Sequence, residues 1–228
     1  MPFGANRPSI LTDYKRRWTL EKERIKRMVI DLVAVLSVKY RFVKPRPDLQ
    51  YFQVTKIAKG LYESMYEQFA TGNLDPIRPR LCESIEENLT ARIANRPKNT
   101  HLQWKLHRYI GRPALMSYRA GMMQLNDDNE KQTGITQAVV RIRSEQSLRR
   151  VKRVRAADGK VLEVLEEGSV MGANDGSKGK EVVEYFVIQR MIRNGVWGDW
   201  MIWGTTQEST VESVERARRR KLGLGDDE

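Results

Sequence analysis

Cysteine is almost absent from this 228-residue chain, in which Cys82 stands alone. No intrachain disulfide can form, and nothing points to an oxidising compartment. Histidine is nearly as scarce. His101, His107 and one cysteine cannot furnish a structural zinc site of the Cys/His type. No long apolar run occurs either. The most apolar stretch, Met28–Leu36, is interrupted by Asp31 and is far short of the roughly 20 residues that cross a bilayer. Catalytic signatures are lacking. Gly172–Lys178 (GANDGSK) has glycine and lysine without phosphate-loop spacing, and no Gly-x-Ser-x-Gly occurs. Neither histidine sits beside a carboxylate in an obvious pair. Glu163, Glu184 and Asp199 fall on or near strands, where one of them could face a pocket as a general base. Asn88-Leu89-Thr90 matches a glycosylation sequon, but without a signal peptide it reads as chance.

Positive charge is what the chain has in excess: 41 Lys+Arg against 29 Asp+Glu, a net +12. It is concentrated in two segments. Residues 1–50 carry 12 basic against 5 acidic side chains, and residues 101–156 carry 12 against 4. Residues 157–228 are acidic overall, with 10 against 14. Such clustering fits a polyanionic partner, nucleic acid or an acidic membrane surface, although a merely soluble basic protein can share it.

After a lead-in over residues 1–11 with Pro2, Gly4 and Pro8, the spacing predicts a helix from Thr12 or Asp13 to about Tyr40. Tyr14, Trp18, Ile25, Met28, Val29, Leu32, Leu36 and Tyr40 form its apolar stripe, and Lys15, Arg16, Lys22, Arg24, Lys26 and Arg27 crowd the first half of its other faces. Such a helix packs on the body of the protein, or it lies on a membrane or RNA surface. The basic start faintly resembles an import presequence, but serine is sparse and Glu21 and Glu23 oppose that reading. Lys44-Pro45-Arg46-Pro47 is a stiff linker. A second helix is expected over 50–71, with Val54, Ala58, Leu61, Met65 and Phe69 on its stripe and Gly72-Asn73 at its end. A third runs from about Cys82 to Asn95.

The apolar period then changes to two. Leu102, Trp104 and Leu106 alternate with polar residues, as do Ala114, Met116, Tyr118, Ala120 and Met122. Asn126–Asn129 is turn-rich, strand character resumes at Ile135, and Ala157–Lys160 is a hairpin turn before Val161–Leu165. Gly168–Lys180 is a glycine-rich loop. Glu181–Thr205 then forms a last hairpin about Asn194-Gly195, and a charged helix ends the chain from about Gln207 to Leu222. Helices followed by about four to six short-connected antiparallel strands make an α+β fold. Its expected divisions are a basic extension (1–48), an α+β domain (49–206) and a charged helix and tail (207–228).

Two stretches stand out. Arg141–Arg155 (RIRSEQSLRRVKRVR) puts Arg141, Arg143, Arg149, Arg153 and Arg155 on one side of an extended strand, with Arg150 and Lys152 breaking the register. A bulge or bend is therefore expected near Leu148–Val151. Arginine forks match phosphate oxygens, so the strand fits RNA; a solvated edge guarded against aggregation is the alternative. In the last hairpin, Trp197 and Trp203 share a strand parity that Trp200 lacks, so at least one tryptophan leaves the core.

Leu61-Tyr62, Phe69-Ala70-Thr71-Gly72-Asn73-Leu74, Leu81, Thr100-His101-Leu102-Gln103-Trp104 and Trp200-Met201-Ile202-Trp203-Gly204 together resemble the inner-membrane translocase subunit 44-like domain family. Within that family the chain is similar to the mitoribosomal branch, that of mitochondrial large-ribosomal-subunit protein 45 and the fungal membrane-associated mitoribosome receptor. It covers roughly residues 50–206. The resemblance implies a cone-shaped, nuclear-transport-factor-2-like fold with no enzymatic activity and no cofactor, metal or small-molecule substrate. It implies a protein of the mitochondrial matrix, held peripherally at the inner membrane beside the polypeptide exit. Its partners would be ribosomal RNA, neighbouring mitoribosomal proteins, and the insertase or an anionic lipid surface. The resemblance does not assign the RNA contacts; from the clustering of charge, Lys15, Arg16, Arg17, Lys22, Arg24, Lys26 and Arg27 of the arm, and Arg141, Arg143, Arg149, Arg150, Lys152, Arg153 and Arg155 of the strand, are the expected ones. An import-motor scaffold and a small-molecule enzyme of the same fold are the rivals.

Overall fold

The computed structural model describes residues 8–9, 11–42, 48–97, 100–122, 133–155, 161–165, 179–193 and 196–221. The expected linker at Lys44–Pro47 and the turns at Asn126–Asn129, Ala157–Lys160 and Asn194-Gly195 lie outside them, as does the Gly168–Lys180 loop up to residue 178. Three helices lead: α1 (Tyr14–Ser37), continued by a π-helical turn Val38–Phe42, α2 (Val54–Thr71) and α3 (Glu83–Ala94). Among the described residues seven strands follow: β1 (Thr100–Tyr109), β2 (Ala114–Met122), β3 (Gly134–Arg155), β4 (Val161–Leu165), β5 (Lys180–Arg193), β6 (Val196–Trp197) and β7 (Met201–Thr206). Helix α4 (Val211–Lys221) comes last. The count exceeds the expected four to six because Val196–Trp197 adds a two-residue strand.

These seven strands pair antiparallel, with one isolated parallel bridge from Leu81 to Ile202, and β3 is the spine. One edge of its 22 residues pairs with β2 and then β1; the other pairs with β5 and then β4. Beyond β5 lie β7 and the short β6. Strand β3 stays in one-to-one register with β1 from Gln146 to Lys152, so no bulge interrupts that pairing at Leu148–Val151, where one was expected. The register instead slips on its neighbours, between Leu106 and Arg108, between Leu115 and Ser117, and between Val187 and Ile188. The last slip inserts Trp203 opposite a single step of β5. The following Gly204 has φ +142°, a value that side chains resist.

The core lies between α2 and the sheet. Val54, Ala58, Tyr62 and Met65 meet Val140, Ile142, Phe186, Ile188 and Ile202. The stripe expected on α2 is rotated slightly: Tyr62 is fully buried, while Leu61 and Phe69 are only half-buried. Phe69 is instead covered by Arg96, whose guanidinium stacks on the ring and donates to the Phe69 and Ala70 carbonyls. That places a cation on the carbonyl end of α2, where the helix dipole favours it. Trp200 and Ile202 enter the core and Trp203 leaves it, 49% exposed, as the parity argument requires.

Helix α1 departs most from expectation. It packs on β2, with Val35 and the following Val38 joining the core, while Asp31 pairs with Arg119 at 3.2 Å and accepts from Ser117. Its apolar stripe does not pack on the body, one of the two placements left open by the sequence, and is exposed along its whole length: Tyr14, Trp18, Ile25, Met28, Val29, Leu32, Leu36 and Tyr40. Periodicity marks a helix face as apolar without saying what covers it. Here a mixed face with a carboxylate wins the contact with β2. At the N-terminus Asp13 occupies the cap position but makes no side-chain capping hydrogen bond.

Candidate functional site

The basic residues of α1 divide into two sets. Arg16 makes a two-pronged pair with Glu215 of α4 at 3.0 and 3.1 Å, and Arg17 and Arg24 share Glu21. Arg27 is half-buried. Lys15, Lys22 and Lys26 are exposed and carry no ion pair among the described residues. They follow one another at helical spacing along one border of the exposed apolar face, and the Lys22 ammonium sits 5.4 Å from the Trp18 ring centroid. Trp18 and Met28 are 63% and 64% exposed, respectively. The result is a helix with an uncovered apolar face, cationic along one flank and tied to the protein by the opposite side. No helix among the described residues is long and apolar enough to cross a membrane.

The arginine strand divides too. Buried positions alternate through Ala138, Val140, Ile142 and Ser144, then change parity to Ser147 and Val151. Strand β5 leaves β3 at Gln146 and β4 joins only at Val151, so the two halves of β3 have different cover. The single arginine-lined face expected from the sequence therefore splits. Arg143 is exposed and paired with Glu181 at 2.7 Å; Arg141 is half-buried; Arg149 is half-buried beside exposed Arg150. Strand β1 adds Arg108, paired with Glu145 at 2.6 Å. Exposed pairs of this kind contribute little to stability, about 0–1 kcal/mol, but they lower the local positive potential. Lys152, Arg153 and Arg155 belong to β3, and their side chains lie outside the described residues.

A polar cluster that the spacing did not reveal lies between α2 and the sheet. Both Tyr62 and Tyr66 donate their hydroxyls to Glu184 on β5. Trp104 stacks on Tyr66 and donates to Gln146 at 2.8 Å, and Gln146 also faces the Tyr62 hydroxyl. Burial, followed by the Glu184 charge, holds both phenols well above the usual tyrosine range. Glu184, one of the three carboxylates considered as a base, thus has one oxygen engaged by each tyrosine. Asp199, the second, is paired with Arg80 at 3.1 Å. The side chain of Glu163, the third, is outside the described residues. Of the histidines, His107 contacts the Ser147 hydroxyl at 3.0 Å and His101 is exposed. A tyrosine four residues before Tyr66 on the same helix face was the available signal for this cluster; its carboxylate partner, over a hundred residues away, was not.

Compared with known proteins, the chain matches a profile of the MBA1-like protein family over residues 8–167. No curated protein matches it. The match takes in α1 and ends before β5, whereas the resemblance read from the residues began near residue 50 and included the last hairpin. It covers well over half of the chain. The chain belongs to the MBA1-like family, a mitochondrial, membrane-associated family of ribosome association.

Proposed function

We propose that the protein is a non-enzymatic tether of the mitochondrial large ribosomal subunit, holding it to the inner membrane near the polypeptide exit. Helix α1 lies on the lipid, and the arginines of β3 with their β1 neighbours face ribosomal RNA. The observation that carries this reading is the exposed apolar face of α1 with Lys15, Lys22 and Lys26 along its border. An interfacial helix gains from apolar burial in the headgroup region and from cations near anionic lipid, and this face offers both. The reading moves the arm from RNA to lipid and leaves the strand as the RNA contact. Helix α2 lying on a long-stranded, bulged sheet supports a nuclear-transport-factor-2-like cone, and the full engagement of Glu184 by tyrosines supports a structural role for that carboxylate.

The test is co-sedimentation of the full chain with purified mitochondrial large subunits and, separately, with vesicles of neutral or cardiolipin-containing lipid. Binding to both partners is expected, with cardiolipin preferred over neutral lipid. Subunit binding through about six phosphates should fall with a log–log salt slope of roughly −5. Changing Arg141, Arg143, Arg149 and Arg150 to alanine should weaken subunit binding and spare vesicle binding. Subunit binding indifferent to salt and to these changes would refute the RNA assignment. Crosslinks to translocase and chaperone in place of ribosomal proteins would favour an import-motor scaffold.

A further inference from the structure

A groove of about 730 Å³ opens between the first half of α2 and the loop from β6 to β7, lined by none of the residues assigned above to lipid or RNA. Its volume falls within the range of about 300–1,000 Å³ typical of ligand pockets. Three features of its walls stand out. Gly60 is exposed in the middle of α2, and a Cβ there would meet nothing within 4 Å. A mid-helix glycine costs about 1 kcal/mol relative to alanine, and here no internal packing or backbone angle requires it. What glycine does provide is a flat place where another backbone can approach closely.

Arg190 is the second feature. Its guanidinium lies 4.7 Å from the Trp197 ring and donates to the carbonyls of Gly198 and Asp48 at 2.7 and 3.2 Å. It forms no ion pair among the described residues, whereas the neighbouring Arg80 is matched by Asp199. The direct hydrogen bonds of Arg190 go to neutral carbonyls, with the Asp48 and Asp199 charges near by but not paired with it, so it can still take a carboxylate. Gln50 is the third, at φ +50°, a left-handed conformation for a residue other than glycine. Its backbone N–H donates to Asp48 and its side-chain oxygen accepts from Trp200 at 2.9 Å, so the strained residue fixes the groove wall. Phe52, two residues on, is 94% exposed.

We propose that this groove binds a short, extended acidic peptide from a protein partner. A peptide carboxylate seats against Arg190 and exposed Lys56, the peptide backbone crosses Gly60, and an apolar side chain covers Phe52. Charge complementarity selects the acidic partner. The apolar wall of Ile57 and Leu61, with Asp199 also lining the groove, suits a peptide over a phosphate chain.

The experiment is fluorescence polarisation of the full chain against a set of labelled hexapeptides alternating acidic and apolar residues, with lysine-based counterparts and a short oligouridine as controls. Acidic peptides should bind, lysine peptides should not, and Gly60→Leu should weaken binding by about tenfold or more. Because the Gly60 position is open and leucine is the better helix former, Gly60→Leu should melt no lower than the parent, so loss of binding cannot be laid to unfolding. Arg190→Gln should weaken binding as well. Failure of every acidic hexapeptide to bind, binding unchanged by Gly60→Leu, or oligouridine displacing the peptides would overturn the proposal.

Discussion

Changing Trp18, Met28 and Leu32 together to aspartate is expected to release the protein from cardiolipin-containing vesicles while leaving its fold intact. All three side chains are more than half exposed and belong to the outward-facing apolar stripe of α1. Burying such a side chain in an apolar medium is favourable by about 1.5–3 kcal/mol. With about 1.4 kcal/mol for each tenfold, three losses lower the partition coefficient by about a thousandfold even at the low end. Vesicle flotation reads the loss, and the thermal midpoint reads the fold. A companion variant, Lys15, Lys22 and Lys26 to glutamine, should act differently. It should weaken binding by about 1 kcal/mol per cation at low salt and much less at high salt. If the aspartate variant floats like the parent, α1 is not the lipid contact, and its exposed face belongs to another partner.

The second large effect is expected at Tyr62. Tyr62→Phe keeps the ring in the core but removes the hydroxyl that Glu184 accepts from, and loss of a hydrogen bond to a charged group costs about 1.5–3 kcal/mol. Tyr62→Ala also opens a cavity and should cost about 3–5 kcal/mol, a large share of the roughly 5–15 kcal/mol that stabilises a typical domain. Denaturant unfolding measures both, and a Tyr62→Phe cost below about 0.5 kcal/mol would show that the cluster does not anchor α2. The same tyrosines set the alkaline limit. Tyr62, Tyr66 and Tyr118 are pushed up chiefly by burial, so in the folded chain they stay neutral above the ordinary tyrosine range. Below pH about 10 neither state has lost these protons, and their contribution is complete. Above it the unfolded chain releases protons that the folded chain retains. Stability then falls as pH rises, by up to about 1.4 kcal/mol per unit for each tyrosine. Unfolding midpoints followed together with tyrosinate absorbance should show ionisation arriving with unfolding; ionisation in the intact fold would contradict it.

Much of the architecture follows from local signals. Gly72 ends α2 in the left-handed conformation, φ +80°, that its place after the helical stripe predicts. The period of two over Leu102–Leu106 and Ala114–Met122 marks β1 and β2, and the short links between strands require antiparallel pairing. The candidate surfaces were less legible. The basic arm and the arginine stretch stand out by composition, yet which of their cations are matched depends on Glu215, Glu181 and Glu145, each brought in by the fold. Trp203 shows both levels together. Strand parity requires a tryptophan to leave the core, and the slip against β5 with Gly204 behind it selects which one.

Sequence alone determined where α1 lies, that it has an apolar stripe, and that cations crowd around it, because helical period and composition are local properties. Only the tertiary structure decided that this stripe faces outward. That outcome depends on Asp31 meeting Arg119 and on Val35 and Val38 joining the core, contacts between segments far apart in the chain. Likewise, Gly60 and Arg190 are separated by 130 positions, and only folding sets them on the walls of one groove.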